Sequence, residues 1–168
     1  MLPRIDGALP HLSGRARRLV SALAATAPDV GPPVTLHGDL HTANVLTGSD
    51  GAITFVDLDA LARGHPAFDL ALLAGRFLLI ARSRGADVAR VARAVAQFPR
   101  AYAATTGVHV SDADFGWYMA AHLLGRQLRT CIRHWVPGVY DLAPALLASA
   151  RASLAAGRFD ERAVAAVR

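Results

Sequence analysis

Two stretches decide how this chain reads: Leu36-His37-Gly38-Asp39-Leu40-His41-Thr42-Ala43-Asn44-Val45-Leu46 and, shortly after, Phe55-Val56-Asp57-Leu58-Asp59. Three polar side chains, Asp39, Asn44 and Asp57, stand at fixed offsets in them, each beside strand-forming residues. Val34-Thr35-Leu36, Asn44-Val45-Leu46-Thr47 and Ile53-Thr54-Phe55-Val56 have the β-branched and aromatic content of short strands. The turn Gly48-Ser49-Asp50-Gly51 joins the last two. A hairpin there returns Asn44 and Asp57 to one end of a small sheet, with Asp39 on the loop feeding it.

Phosphoryl transfer needs residues of these types at one place. The oxygens of a phosphoryl donor carry charge that magnesium offsets, and this hard cation takes carboxylate and amide oxygens, which Asp57 and Asn44 supply. An acceptor hydroxyl must be oriented and must lose its proton, both tasks for a carboxylate within hydrogen-bond reach, and Asp39 is placed for them. The interval from Asp39 to Asn44 matches the kinase catalytic loop.

The segment as a whole resembles the signature of the aminoglycoside phosphotransferase and choline kinase-like enzymes. His37-Gly38-Asp39-Leu40-His41-x-x-Asn44 stands for the catalytic loop, and Val56-Asp57-Leu58-Asp59 for the Asp-Phe-Gly segment of protein kinases. Gly64 through Asp69-Leu70-Ala71 resembles the following segment, in which an aspartate opens a helix and braces the catalytic loop. The resemblance runs from about Leu12 to the C-terminal helices. It implies Asp39 as the catalytic base, Asn44 and Asp57 as magnesium ligands, and Asp59 as a further candidate metal or substrate contact. It also implies His37 and Asp69 as loop-bracing residues, ATP and Mg2+ as cofactors, and a small-molecule hydroxyl as the acceptor.

Elsewhere the pattern is helical. Ala16, Leu19, Val20, Leu23 and Ala24 mark a helix over 13–27, and four more are predicted over 67–82, 87–106 with a break at Pro99, 112–135 and 141–156. Ser111 and Asp114 suggest a capping box, and Pro137-Gly138 a stop. The expected fold is α+β and mostly α, a kinase-like C-lobe of four to six helices around a small hairpin core. One domain is expected: a leading helix and linker over 1–33, catalytic and metal-binding loops over 34–65, and a helical substrate subdomain over 66–168. Apolar residues make up 53% of the 168, enough for one core.

Other function classes fit less well. No signal peptide or spanning stretch is apparent, so a cytoplasmic protein without membrane contact is expected. The net charge of +5 comes from arginine alone, since the chain has no lysine, and scattered arginines with few aromatics argue against nucleic-acid binding. Cys131 reads as packing. His37-x-Asp39-x-His41 superficially resembles a metallohydrolase motif, the basis for a metal-dependent phosphoesterase as a lesser alternative. Arg126, Arg129 and Arg133 fall on one helix face opposite Leu124, Leu128, Cys131 and Trp135, read first as a solvated face and second as contacts for an anionic substrate or nucleotide phosphate. Beyond Phe115, seven arginines stand against Asp141, Asp160 and Glu161, the reverse of what a polycation needs, so a neutral or anionic acceptor is expected.

A complete enzyme of the resembled kind has an N-terminal lobe with a phosphate-pairing lysine. The 34 residues before Thr35 contain no strand run and no glycine-rich loop, and read as one helix plus linkers. Three expectations follow: a piece of a longer phosphotransferase, a half-enzyme working with an N-lobe partner chain or as a dimer, or a noncatalytic binding module that keeps the metal site.

Overall fold

The computed structural model describes residues 2–29 and 31–167; Met1, Val30 and Arg168 lie outside them. The leading segment holds two helices where one was expected. Helix α1 (Leu2–Ala8) carries Pro3 in its first turn, where a missing N–H costs nothing, and a 3-10 turn over Pro10–Leu12 leads into α2 (Ser13–Ala25). Seven residues are too few to show a periodic stripe, so α1 left no signal. Helix α2 buries Ala16, Leu19 and Leu23, the stripe that predicted it.

The strands form two separate antiparallel pairs. Strand β1 (Val34–Leu36) pairs with β4 (Ala62–Gly64), Leu36 opposite Ala62, while β2 (Val45–Thr47) and β3 (Ile53–Phe55) form the expected hairpin, Val45 opposite Phe55. The amide of Gly48 closes that hairpin on the Ala52 carbonyl at 2.8 Å. Strand β4, Ala-Arg-Gly, has no strand propensity of its own. Its pairing is tertiary, helped by Arg63 donating to the Pro33 carbonyl at 2.7 Å.

Helix α3 (Ala67–Ser83) follows as expected. The predicted 87–106 helix is broken into α4 (Val88–Val95) and α5 (Phe98–Thr106), with Pro99 in the first turn of α5. The predicted 112–135 helix is α6 (Asp112–His122), a π-helical segment over Leu123–Gln127, and α7 (Leu128–Arg133). Helix α8 (Val139–Ala155) and the unforeseen α9 (Glu161–Ala166) complete nine α-helical segments among the described residues, against the four to six expected. The breaks account for much of that difference. The Ser111 hydroxyl accepts from the Asp114 amide at 3.0 Å but donates to the Asp114 carboxylate at 2.7 Å, so only half of a capping box forms.

Trp135 does not extend the buried face. Helix α7 has ended, Trp135 takes a left-handed conformation with φ 45°, and its side chain is 57% exposed. The Val136 amide then bonds back to the Cys131 carbonyl, the pattern of a Schellman turn. Cys131 is fully buried and its thiol is pushed up to about 11 by burial, as packing requires. Among the described residues no helix is long and apolar enough to cross a membrane.

The core lies where α3 packs on α6 and α6 on α8, around Leu78, Phe115, Met119, Leu123, Leu128 and Leu146. Trp117 ties α6 to the end of α2 by donating to the Leu23 carbonyl at 3.0 Å, and Arg82 of α3 ends α9 by donating to the Val164 and Val167 carbonyls.

His122 is nearly buried and burial pushes its pKa down to about 4 from 6.5. Between those values the unfolded chain takes up a proton that the folded one refuses. The stability this histidine provides is therefore full above about pH 6.5 and lost as pH falls to about 4, a change of about 3 kcal/mol. Urea unfolding between pH 4 and 7 should show that loss in the wild type, and a smaller slope in His122→Phe.

Candidate active site

Gly38 has φ 79°, and a Cβ there would overlap the Ala60 carbonyl oxygen. Only glycine lets the loop bearing Asp39 lie against the 3-10 turn Leu58–Ala60 that follows Asp57. Asp69, in the first turn of α3, accepts hydrogen bonds from the amides of His37 at 2.6 Å and Gly38 at 3.1 Å. The His37 ring donates through Nε2 to the Val56 carbonyl at 2.9 Å. Val56 in turn donates its amide to the Asn44 carbonyl at 3.1 Å, and Asn44 Nδ2 donates to the Asp39 carbonyl at 3.0 Å. These bonds close a ring through Asp39, Asn44, Val56 and His37. Because His37 and Asn44 are buried, breaking any link would strand a polar group.

Asp57 sits next to Val56 in the left-handed region, φ 62° and ψ 61°, a conformation costing a non-glycine residue about 1–3 kcal/mol. Its carboxylate and that of Asp59 are exposed and meet no hydrogen-bond donor or cation among the described residues. Asn44 spends its amide hydrogens on the loop, and no protein donor meets Oδ1. The donor set is thus oxygen only and unengaged. It fits magnesium, which keeps several waters and takes one or two protein oxygens beside substrate phosphates.

Around Asp39 the side chains come from distant elements. Arg126, inside the π-helical segment, donates from Nη2 to Asp39 Oδ1 in a close ion pair. His41 Nε2 lies 3.9 Å from Asp39 Oδ2, beyond hydrogen-bond distance. His41 Nδ1 accepts from the Ala43 amide at 3.2 Å. Burial, then the Arg76 charge, hold the His41 pKa below its ordinary value, so the ring is neutral at pH 7 with its proton on Nε2.

A family model describing the phosphotransferase enzyme family matches residues 3–109, more than half of the chain. The chain belongs to that family. Comparison with curated proteins and with solved structures returns no match. The family match takes in the catalytic loop, the hairpin, Asp57, Asp69 and α3, and its members generally use ATP and magnesium. It starts ahead of Leu12 and stops before α6, so Arg126, Arg129 and Arg133 lie outside it.

The solvated-face reading of those arginines fails for Arg126, which is committed to Asp39, while Arg129 and Arg133 are exposed beside it. The metallohydrolase motif gathers no further ligands. His65 accepts from the Ala67 amide and faces Asp114, His122 is in the core, and His109 is exposed before α6. Among the described residues no three His, Cys, Asp or Glu side chains converge on a metal position, short of the three a catalytic zinc requires. Arg76, which interrupts the apolar run from Ala67 to Ala81, was not among the residues singled out from the sequence. That interruption was the available signal, because an unpaired charge within a buried helix needs a reason.

Asp69→Ala leaves the His37 and Gly38 amides without acceptors, and a loss of about 1–3 kcal/mol is expected in urea unfolding. Hydrogen exchange at those two amides should quicken while that in α8 stays as it was. An unchanged unfolding midpoint would show that the brace is dispensable.

Proposed function

We propose that this phosphotransferase-family chain carries out magnesium-dependent transfer of the ATP γ-phosphate to a hydroxyl of a small molecule. The supporting observation is the hydrogen-bond ring that draws Asp39, Asn44 and the Val56–Asp57 segment from separate loops to one place. The reaction forms a bond between the acceptor oxygen and the γ-phosphorus, breaks the bond to the bridging oxygen to release ADP, and leaves the hydroxyl proton on Asp39. Magnesium, held by Asn44 Oδ1 and Asp57 with Asp59 as a further contact, would offset the phosphate charge.

Asp39 is suited to its part because Arg126 engages Oδ1, while Oδ2 has no hydrogen-bond partner and can accept from a hydroxyl. His37 and Asp69 touch neither reactant and act as positioning residues. Their bonds fix the peptide on either side of Asp39, and a displacement of the base by about 1 Å can cost about 100-fold in rate.

The lysine that pairs the donor phosphates in related enzymes is supplied, in this reading, by an N-lobe outside these 168 residues or on a partner chain, since the chain contains none. The apolar side chains Leu46, Ile53, Phe55, Leu58 and Leu61, all about half exposed around the hairpin, are the surface on which such a lobe would rest. The same absence favours the second reading, a noncatalytic kinase-like module that keeps the metal site.

Calorimetry separates the two. The enzyme reading expects Mg-ADP binding that weakens at least about tenfold in Asp57→Ala, one magnesium contact being worth more than about 1.4 kcal/mol. Asp39→Asn should bind nucleotide as before and lose roughly 100- to 10,000-fold in transfer rate. Magnesium binding without transfer, even with an N-lobe supplied in trans, would favour the module.

A further inference from the structure

We propose that the acceptor bears an anionic group, a carboxylate or phosphate, and that Arg76, Arg129 and Arg133 hold this group in the cavity beside Asp39. This rests on the phosphotransferase reading and names the substrate class for it. The cavity has a volume of about 360 Å³ and is lined by His41, Arg76, Arg126, Arg129, Arg133 and His134, with Gln127 and Thr130 between them. No acidic side chain lines it. Its size suits a small metabolite, near the lower end of ligand pockets at about 300–1,000 Å³.

Four guanidinium groups gathered this way repel one another unless an anion lies among them. Only Arg126 has an ionic partner among the described residues, and that partner is Asp39. Arg76 has its Nε buried without a hydrogen-bond partner, although it stands on α3 amid core residues. Burial first, then the neighbouring Arg129, make the Arg126 charge harder to hold. An anion entering the cavity satisfies the remaining guanidinium groups together, while Arg126 stays on Asp39 Oδ1 and leaves Oδ2 open to the hydroxyl of the same molecule. The lining excludes Asn44, Asp57 and Asp59, and adjoins Asp39 through its ion-pair partner Arg126 and through His41, so the acceptor's anion is favoured over the phosphates of the nucleotide. A second cavity, about 740 Å³ between α2 and α8, shares no lining residue with this site.

Calorimetry with inorganic phosphate, and with the pairs glycerate and glycerol, and glucose 6-phosphate and glucose, tests the proposal on the whole chain. Phosphate and the charged member of at least one pair should bind, and the neutral members should not. Arg76→Gln combined with Arg129→Gln should weaken anion binding at least tenfold while Mg-ADP affinity stays within twofold. Arg133→Glu, at an exposed position, gives the same loss without risk to the core. Equal binding of charged and neutral members, no binding of any anion, or anion affinity unaltered in Arg133→Glu would overturn the proposal. Displacement of phosphate by Mg-ADP would overturn it too, assigning the cavity to the nucleotide. If Mg-ADP binds and no anion does, the anionic acceptor falls and the phosphotransferase reading stands; if anions bind and Mg-ADP does not, even with an N-lobe supplied in trans, the reading itself falls and takes the acceptor role with it.

Discussion

The Asp69 carboxylate, lodged at the start of α3 with the amides of His37 and Gly38 as its donors, is the contact on which the rest of the site depends. Burial raises its pKa and the two amide bonds offset part of that rise, so the carboxylate is comfortable only while the loop stays in place. The dependence is mutual. The loop has no regular structure of its own between β1 and the 3-10 turn before β2, and takes its shape from a helix end that belongs to the core. A charge at the first turn also favours the helix dipole, so one side chain serves both the helix and the loop.

From that anchor, order spreads by backbone bonds rather than by apolar packing. The hairpin is largely exposed on its own, with Ile53 and Phe55 more than half open to solvent. The hydrogen bonds from His37 to the Val56 carbonyl and from Asn44 to the Asp39 carbonyl tie it to the loop that Asp69 anchors. This makes the candidate site a rim fixed to a helical body, and it explains why a left-handed Asp57 is tolerated: its neighbours on both sides are held.

Much of this was legible in the chain. The hairpin came from its strand runs and turn, α2 and α3 from their apolar period, and the approach of the Asp39 loop to Asn44 and to the end of the strand before Asp57 from spacing. What escaped had weak local signals. Strand β4 exists because Leu36 and its neighbours need a partner, α1 and α9 are too short to show a stripe, and the pairing of Arg126 with Asp39 joins residues 87 positions apart. A helix read as running to residue 135 also misplaces Trp135, because α7 ends at Arg133 and the chain turns left-handed there.

The π-helical segment has a bearing on where the Arg126 side chain stands. In the segment Leu123–Gln127 the Leu128 amide bonds to the Leu123 carbonyl, one residue further than in an α-helix. Removing a single residue there would restore the ordinary helix and turn everything on one side of it by about 100 degrees. The two ends are clamped separately, α6 by α3 and α8, and α7 by α1 and α8. A one-codon deletion would therefore swing the guanidinium of Arg126 away from Asp39 while most of the bundle kept its packing.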